Sequence, residues 1–411
     1  MVVASLVALG GVASQASAHS TSEPVAVALD AREDVAIKAL KLWLKAYRKG
    51  ELDLVDLDRF KGVPRNKKNY VSVKLGILPE SRLKNLNHEK ELGILCEKVA
   101  ALGTAEAAEA LLKVAAIGLG RKKWERELLP GLVRGIGSTA LATMKSDAAM
   151  QVLRGSAAAL SGAESRAALL ALGGFAASED LGLFEKGLQD RSQWIRLSAA
   201  RALARAKLVS ALEAIADRVV QEPTDLVVGA CLEAAAATVS ALKDPAGKDR
   251  ELRRMTTSAH DVLGKHTWQV DLAALGYLKQ VRSADSVPAM IGVLERAAAK
   301  DRKADKLDKT SGVVRQDAYE LLRALSGATI PIDTPHLWKD WWDRVHDTFT
   351  VAEAKDASAA SGETVTTFFG IPIRGSHVLF IVDLSGSMQF PSIEPASSTG
   401  GSAPSKMSVA R

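Results

Sequence analysis

Three oxygen-bearing side chains, Asp383, Ser385 and Ser387, alternate along the run Asp383-Leu384-Ser385-Gly386-Ser387-Met388. In extended backbone, side chains two apart point the same way, so one carboxylate and two hydroxyls aim at one point. Gly386 permits the tight path that such a turn needs. The chemistry this suits is capture of a hard divalent cation, and magnesium takes six oxygen ligands at about 2.0–2.1 Å. Three side chains cannot fill that shell, so water and further residues must complete it. Just before them, residues 378–382 (VLFIV) form an apolar, partly β-branched run, the pattern of a strand buried on both faces. Residues 365–369 read as a short strand and 370–375 as a turn or bend.

This constellation closely resembles the start of a von Willebrand factor type A domain, in which a central strand feeds the D-x-S-x-S segment of a metal-ion-dependent adhesion site. The resemblance implies Mg2+ or Mn2+ at Asp383, Ser385 and Ser387, with an acidic side chain of a protein partner completing the coordination. Such a domain takes roughly 170–200 residues, yet only 36 residues follow Gly375. Residues 389–405 are rich in Pro, Ser and Gly and read as a loop insertion, and 406–411 as the start of a helix. The threonine and second aspartate of the family's site are missing. The expectation is a truncated gene product or partial gene model, in which residues 364–411 bind metal weakly or not at all.

Other catalytic patterns fail. Gly247-Lys248-Asp249 and Gly264-Lys265-His266 do not complete a phosphate-binding loop, and His88-Glu89 lacks the second histidine of a zinc-protease helix. Leu384-Ser385-Gly386-Ser387 is not a nucleophile elbow. The seven histidines have no clustered ligand spacing. Cys96 and Cys231 both lie in apolar helical contexts and read as small buried hydrophobes. An oxidising compartment would permit them to pair, and the sequence does not decide it. The expected function is a non-catalytic protein-interaction scaffold. The alternatives are an accessory subunit of a chelatase-like, nucleotide-driven assembly whose motor lies on another chain, or a structural repeat protein with a disordered C-terminal tail.

The elements that must position these residues are helical. Alanine and leucine dominate and aromatics make up only 5% of the chain, a balance that favours closely packed helices. A helix starts at Asp30, with Glu33 completing a capping box and Gly50 ending it. Its stripe is Ala36, Leu40, Trp43, Leu44 and Tyr47. A further helix is expected from about Glu80, within an N-terminal helical region spanning 30–101.

From about Leu102 the pattern repeats. Ile195, Ala199, Ala202, Leu203 and Ala206 set a template that fits again from Val228, Val270 and Val314, at intervals of 33, 42 and 44 residues. The longer intervals hold hydrophilic inserts at 248–254 and 300–309. Each template helix is followed by a second, as at 210–220 and 286–297. One pair cannot bury its stripe alone, so stacking into an α-solenoid over 102–348 is expected. Residues 190–219 closely resemble a HEAT repeat, matching at Asp190, Ile195, Arg196, Ala199, Ala202 and Leu203. The resemblance implies a polar ladder in which aspartate and arginine pair along the stack. Arg315 keeps the arginine, but Asp271 replaces it and interrupts the ladder. Trp338, Trp341 and Trp342 share one helical face and read as a plug closing the stack. Residues 349–363 read as a linker.

Residues 1–18 read as a signal peptide, with an apolar run ending in Ala16-Ser17-Ala18, although no Lys or Arg precedes the run. Export to the periplasm, the cell envelope or the medium follows. The run is too short to span a bilayer, and no other segment is long and apolar enough. The net charge is +6. Its densest basic stretches, 59–68 and 300–309, are loop-like and lack interleaved aromatics, so a nucleic-acid partner is not expected. The fold class expected is mainly α, a HEAT-like solenoid followed by the first strands of an incomplete α/β domain.

Overall fold

Apolar residues at helical spacing fold here as helices, because each stripe has a neighbour to bury against. The computed structural model describes residues 23–49, 52, 75, 88–119, 128–242, 249–301, 312–352, 367–368 and 371–372. It is mainly helical. Among the described residues the helices are α1 (Glu23–Arg48), α2 (His88–Ala100), α3 (Ala105–Ala115), α4 (Leu128–Leu141) and α5 (Asp147–Ala158). Then come α6 (Gly162–Phe175), α7 (Leu181–Leu188), α8 (Gln193–Ala206), α9 (Leu212–Gln221) and α10 (Asp225–Ser240). The last five are α11 (Asp249–Val262), α12 (Trp268–Val281), α13 (Ser286–Asp301), α14 (Gly312–Ser326) and α15 (Pro335–Val345).

Every helix from α1 to α13 contacts its next-but-one neighbour, so even-numbered helices form one layer and odd-numbered helices the other. Across the layers, α7 packs on α8, α9 on α10, α11 on α12 and α13 on α14. This two-layer stack is consistent with a helical solenoid, in which each unit buries its stripe only against adjacent units. The pairing phase differs from the sequence expectation. Across the layers, the helix at 193–206 packs on the helix before it and not on the one after, and α9 belongs with α10.

The template residues form the core. Ile195, Ala199, Ala202, Leu203 and Ala206 are buried, as are Val228, Leu232, Val270, Ala274, Tyr277, Leu278, Val314, Ala318 and Leu322. Small residues let neighbouring axes come close. A Cβ on Gly173 of α6 would lie 2.6 Å from the Ala202 Cα of α8, and one on Gly187 of α7 would lie 2.9 Å from the Ala199 Cβ. Helix ends are shaped by backbone conformation. Lys207 and Arg282, which end α8 and α12, are left-handed (φ 54° and 53°), and each N–H donates to the carbonyl four residues back. Gly327 (φ 68°) ends α14 in the same way.

Several sequence expectations are corrected. α1 begins at Glu23, so Asp30 lies inside it and does not cap it. Its stripe holds, with Ala36, Leu40, Trp43 and Leu44 buried and Tyr47 stacked on Trp43 at 5.7 Å. Gly50 and residues 80–87 lie outside the described residues, and the next described helix starts at His88. Residues 249–254, expected within a hydrophilic insert, are the start of α11. That helix is amphipathic: Met255, Ala259 and Val262 are buried, while Arg250 and Arg254 reach Glu213 and Asp217 of α9. Its charged outer face imitates an insert.

The second unit of the chain, Glu353–Arg411, is described at four residues only. There β1 (Thr367–Phe368) pairs antiparallel with β2 (Ile371–Pro372), in the register Thr367 to Pro372 and Phe368 to Ile371. The expected turn at 370–375 therefore contains the second strand of a hairpin.

Candidate functional site

Asp383, Ser385 and Ser387, with the 378–382 run before them, lie outside the described residues, as do residues 1–18. Among the described residues no three His, Cys, Asp or Glu side chains converge as a metal site would require. Cys96 and Cys231 are free and fully buried. Burial pushes both thiols up to about 12, helped by Glu97 for Cys96 and Glu222 for Cys231. Thiols held so far from the thiolate form are packing groups.

What the described residues offer is a row of polar links between units. At its centre, the Arg196 guanidinium donates from Nε and Nη2 to the two oxygens of Glu222, at 2.7 and 2.8 Å. Its Nη1 donates to the backbone carbonyls of Asp190 and Arg191, at 2.9 and 3.0 Å. The Asp190 carboxylate instead accepts from the Ser192 N–H at 2.7 Å. The ladder arginine is therefore paired, but with a glutamate in the α9–α10 turn and not with the aspartate that the HEAT resemblance implied. Thr224 N–H also donates to Glu222 (3.0 Å), and Arg218 stands 3.1 Å away. Burial alone would raise the carboxyl's pKa, but the Arg196 and Thr224 bonds with the Arg218 and Arg196 charges hold it below its ordinary value.

The same position of the template is glycine, aspartate or a second arginine in the later units. Asp271 of α12 turns its Oδ1 to the Gly264 N–H at 2.8 Å, which caps a left-handed glycine. Arg315 of α14 pairs with Asp333, which is 77% exposed. In α10 the position is Gly229, and a Cβ there would meet nothing within 4 Å. A groove of about 340 Å³ opens at that point between α8, α10 and α12. Arg201, Asp225, Leu226, Glu233 and Val270 stand around Gly229. Asp225 is engaged, since its carboxylate accepts from the Thr267 N–H (3.2 Å) and meets His266 Nδ1 at 2.8 Å. Burial would raise its pKa, and the His266 and Thr267 bonds hold it low. Arg201 and Glu233 are exposed and have no hydrogen-bond or ion-pair partner among the described residues. Leu226 and Trp268, first-turn residues of successive even-layer helices, are 51% and 44% exposed.

The tryptophans close the last described end of the stack. Trp338 is fully buried and meets Tyr319 of α14 and Trp341 edge-on, at 6.2 and 5.7 Å. Phe349 packs on Trp341 and Trp342. The chain then returns to α14, where the Ala352 N–H donates to the Leu325 carbonyl at 2.8 Å.

Sequence reasoning missed Glu222 and Gly229. Aligning the residue after each template start (Arg196, Gly229, Asp271, Arg315) marks the glycine as the unit without a ladder side chain. Nothing of that kind marks Glu222. Compared with models of protein families and with curated proteins, the chain matches none. Among the described residues no helix is long and apolar enough to cross a membrane.

Proposed function

We propose that this chain is an exported, non-catalytic interaction scaffold: a HEAT-like stack whose outer surfaces hold protein partners, followed by a metal-ion-dependent adhesion motif. The carrying observation is the two-layer stack itself. Each helix uses its apolar stripe to bind its neighbours, which leaves the outer face and the loop edge available to other molecules. Leu226 and Trp268, exposed on successive units, support contact at that edge. The adhesion part rests on the order and spacing of Asp383, Ser385 and Ser387 after an apolar run. Mg2+ or Mn2+ is the ion those oxygens suit.

Two experiments test this reading. A photo-crosslinking side chain at Trp268, in the native organism, is expected to give a discrete protein adduct. No adduct from any exposed even-layer position, or turnover of a substrate by the purified chain, overturns the scaffold. Mg2+ titration into the full-length protein is expected to release a binding heat that Asp383→Ala removes. A full-length protein without that heat removes the adhesion site and leaves the stack.

A further inference from the structure

The groove at Gly229 exists because one unit omits the side chain that its neighbours carry. Arg196, Asp271 and Arg315 each reach another part of the stack from the same template position, whereas at Gly229 nothing reaches across and the space stays open. The walls are chemically specific. Arg201 of α8 and Glu233 of α10 carry opposite charges with no partner among the described residues. Asp225 is held by His266 and Thr267 and is not available. Leu226, half exposed, adds an apolar contact beside Val270. At about 340 Å³ the groove lies near the lower end of binding-site volumes, enough for a few side chains.

We infer that this groove docks an extended peptide segment of a partner protein. An acidic side chain of the segment meets Arg201, a basic one meets Glu233, and an apolar one covers Gly229 against Leu226. The inference rests on the scaffold reading and gives it an address and a charge pattern. The arrangement selects by charge order: a segment with two like charges leaves one wall residue facing repulsion.

The probe is the capped tripeptide acetyl-Glu-Leu-Lys-amide, titrated into the full chain and followed by saturation-transfer NMR. Binding in the millimolar range is expected for so small a ligand. Gly229→Arg puts a side chain into open space and is expected to weaken binding at least tenfold. It should leave Tm unchanged or slightly raised, since arginine is the better helix former. Arg201→Glu, a solvent-exposed change, is expected to lose this peptide and take acetyl-Lys-Leu-Lys-amide in its place. No binding at about 10 mM peptide, or equal binding by wild type and Gly229→Arg, overturns the inference. So does a wild-type dimer that Gly229→Arg dissociates, because the occupant is then a second copy of the chain. A crosslinked partner at Trp268 without peptide binding sinks the groove and spares the scaffold, while loss of both sinks the scaffold too.

Discussion

The ladder position is filled by arginine both in the middle of the stack and near its last described helix, yet the two sites are built differently. Arg196 and Glu222 form a bidentate pair with the carboxylate fully buried. Arg315 meets Asp333, most of whose surface faces solvent. The middle is closed by small residues and close helix axes, as at Gly173 against Ala202. The last end is closed by bulk, with Trp338, Trp341 and Phe349 packed edge to face. An interior unit has a neighbour on each side, so it can desolvate a charge pair and repeat a tight backbone contact. Among the described residues the last unit packs on one side only, and large aromatic area closes that side.

The largest test of that contrast is Trp338→Ala. Removing a fully buried tryptophan is expected to cost about 3–5 kcal/mol, and the loss should stay local. Hydrogen exchange should accelerate in α13–α15 and remain unchanged in α6–α10; uniform acceleration would mean the stack unfolds as one body.

Glu222→Ala comes next. It leaves the buried Arg196 without its carboxylate, at an expected cost of about 3 kcal/mol in chemical denaturation. The matching change at the end, Asp333→Ala, should cost less than about 1 kcal/mol because that pair is solvated. Equal losses at the two sites would erase the distinction between them.

Glu222 also sets a pH dependence. Its pKa is depressed in the fold, so the unfolded chain takes up a proton first as the medium becomes acidic. The stabilisation is complete above the unfolded value of about 4.3. It declines as pH falls from there through the lower folded value. Glu222→Gln should flatten the denaturation midpoint across that range, whereas a variant that keeps the wild-type slope assigns the titration to another group. The close approach in the middle predicts that Gly173→Val costs about 1–3 kcal/mol, since Ala202 backbone faces the added carbons. A stable, unchanged variant would show that α6 and α8 can separate freely.

By itself the sequence determined the helices and their inner faces. A stripe with a 3.6-residue period has only one side on which it can be buried, so Ile195, Val270 and Val314 had to point inward. It determined less at the ends. Lys207 and Arg282 adopt left-handed caps with no glycine to announce them, and the charged face of α11 looked like an insert. Only the tertiary structure decided that α8 meets the other layer at α7, that Arg196 takes Glu222 and not the Asp190 carboxylate, and that Gly229 stands over open space. Those outcomes depend on which helices become neighbours. A periodic pattern states that a face must be covered, but it carries no information about which surface covers it.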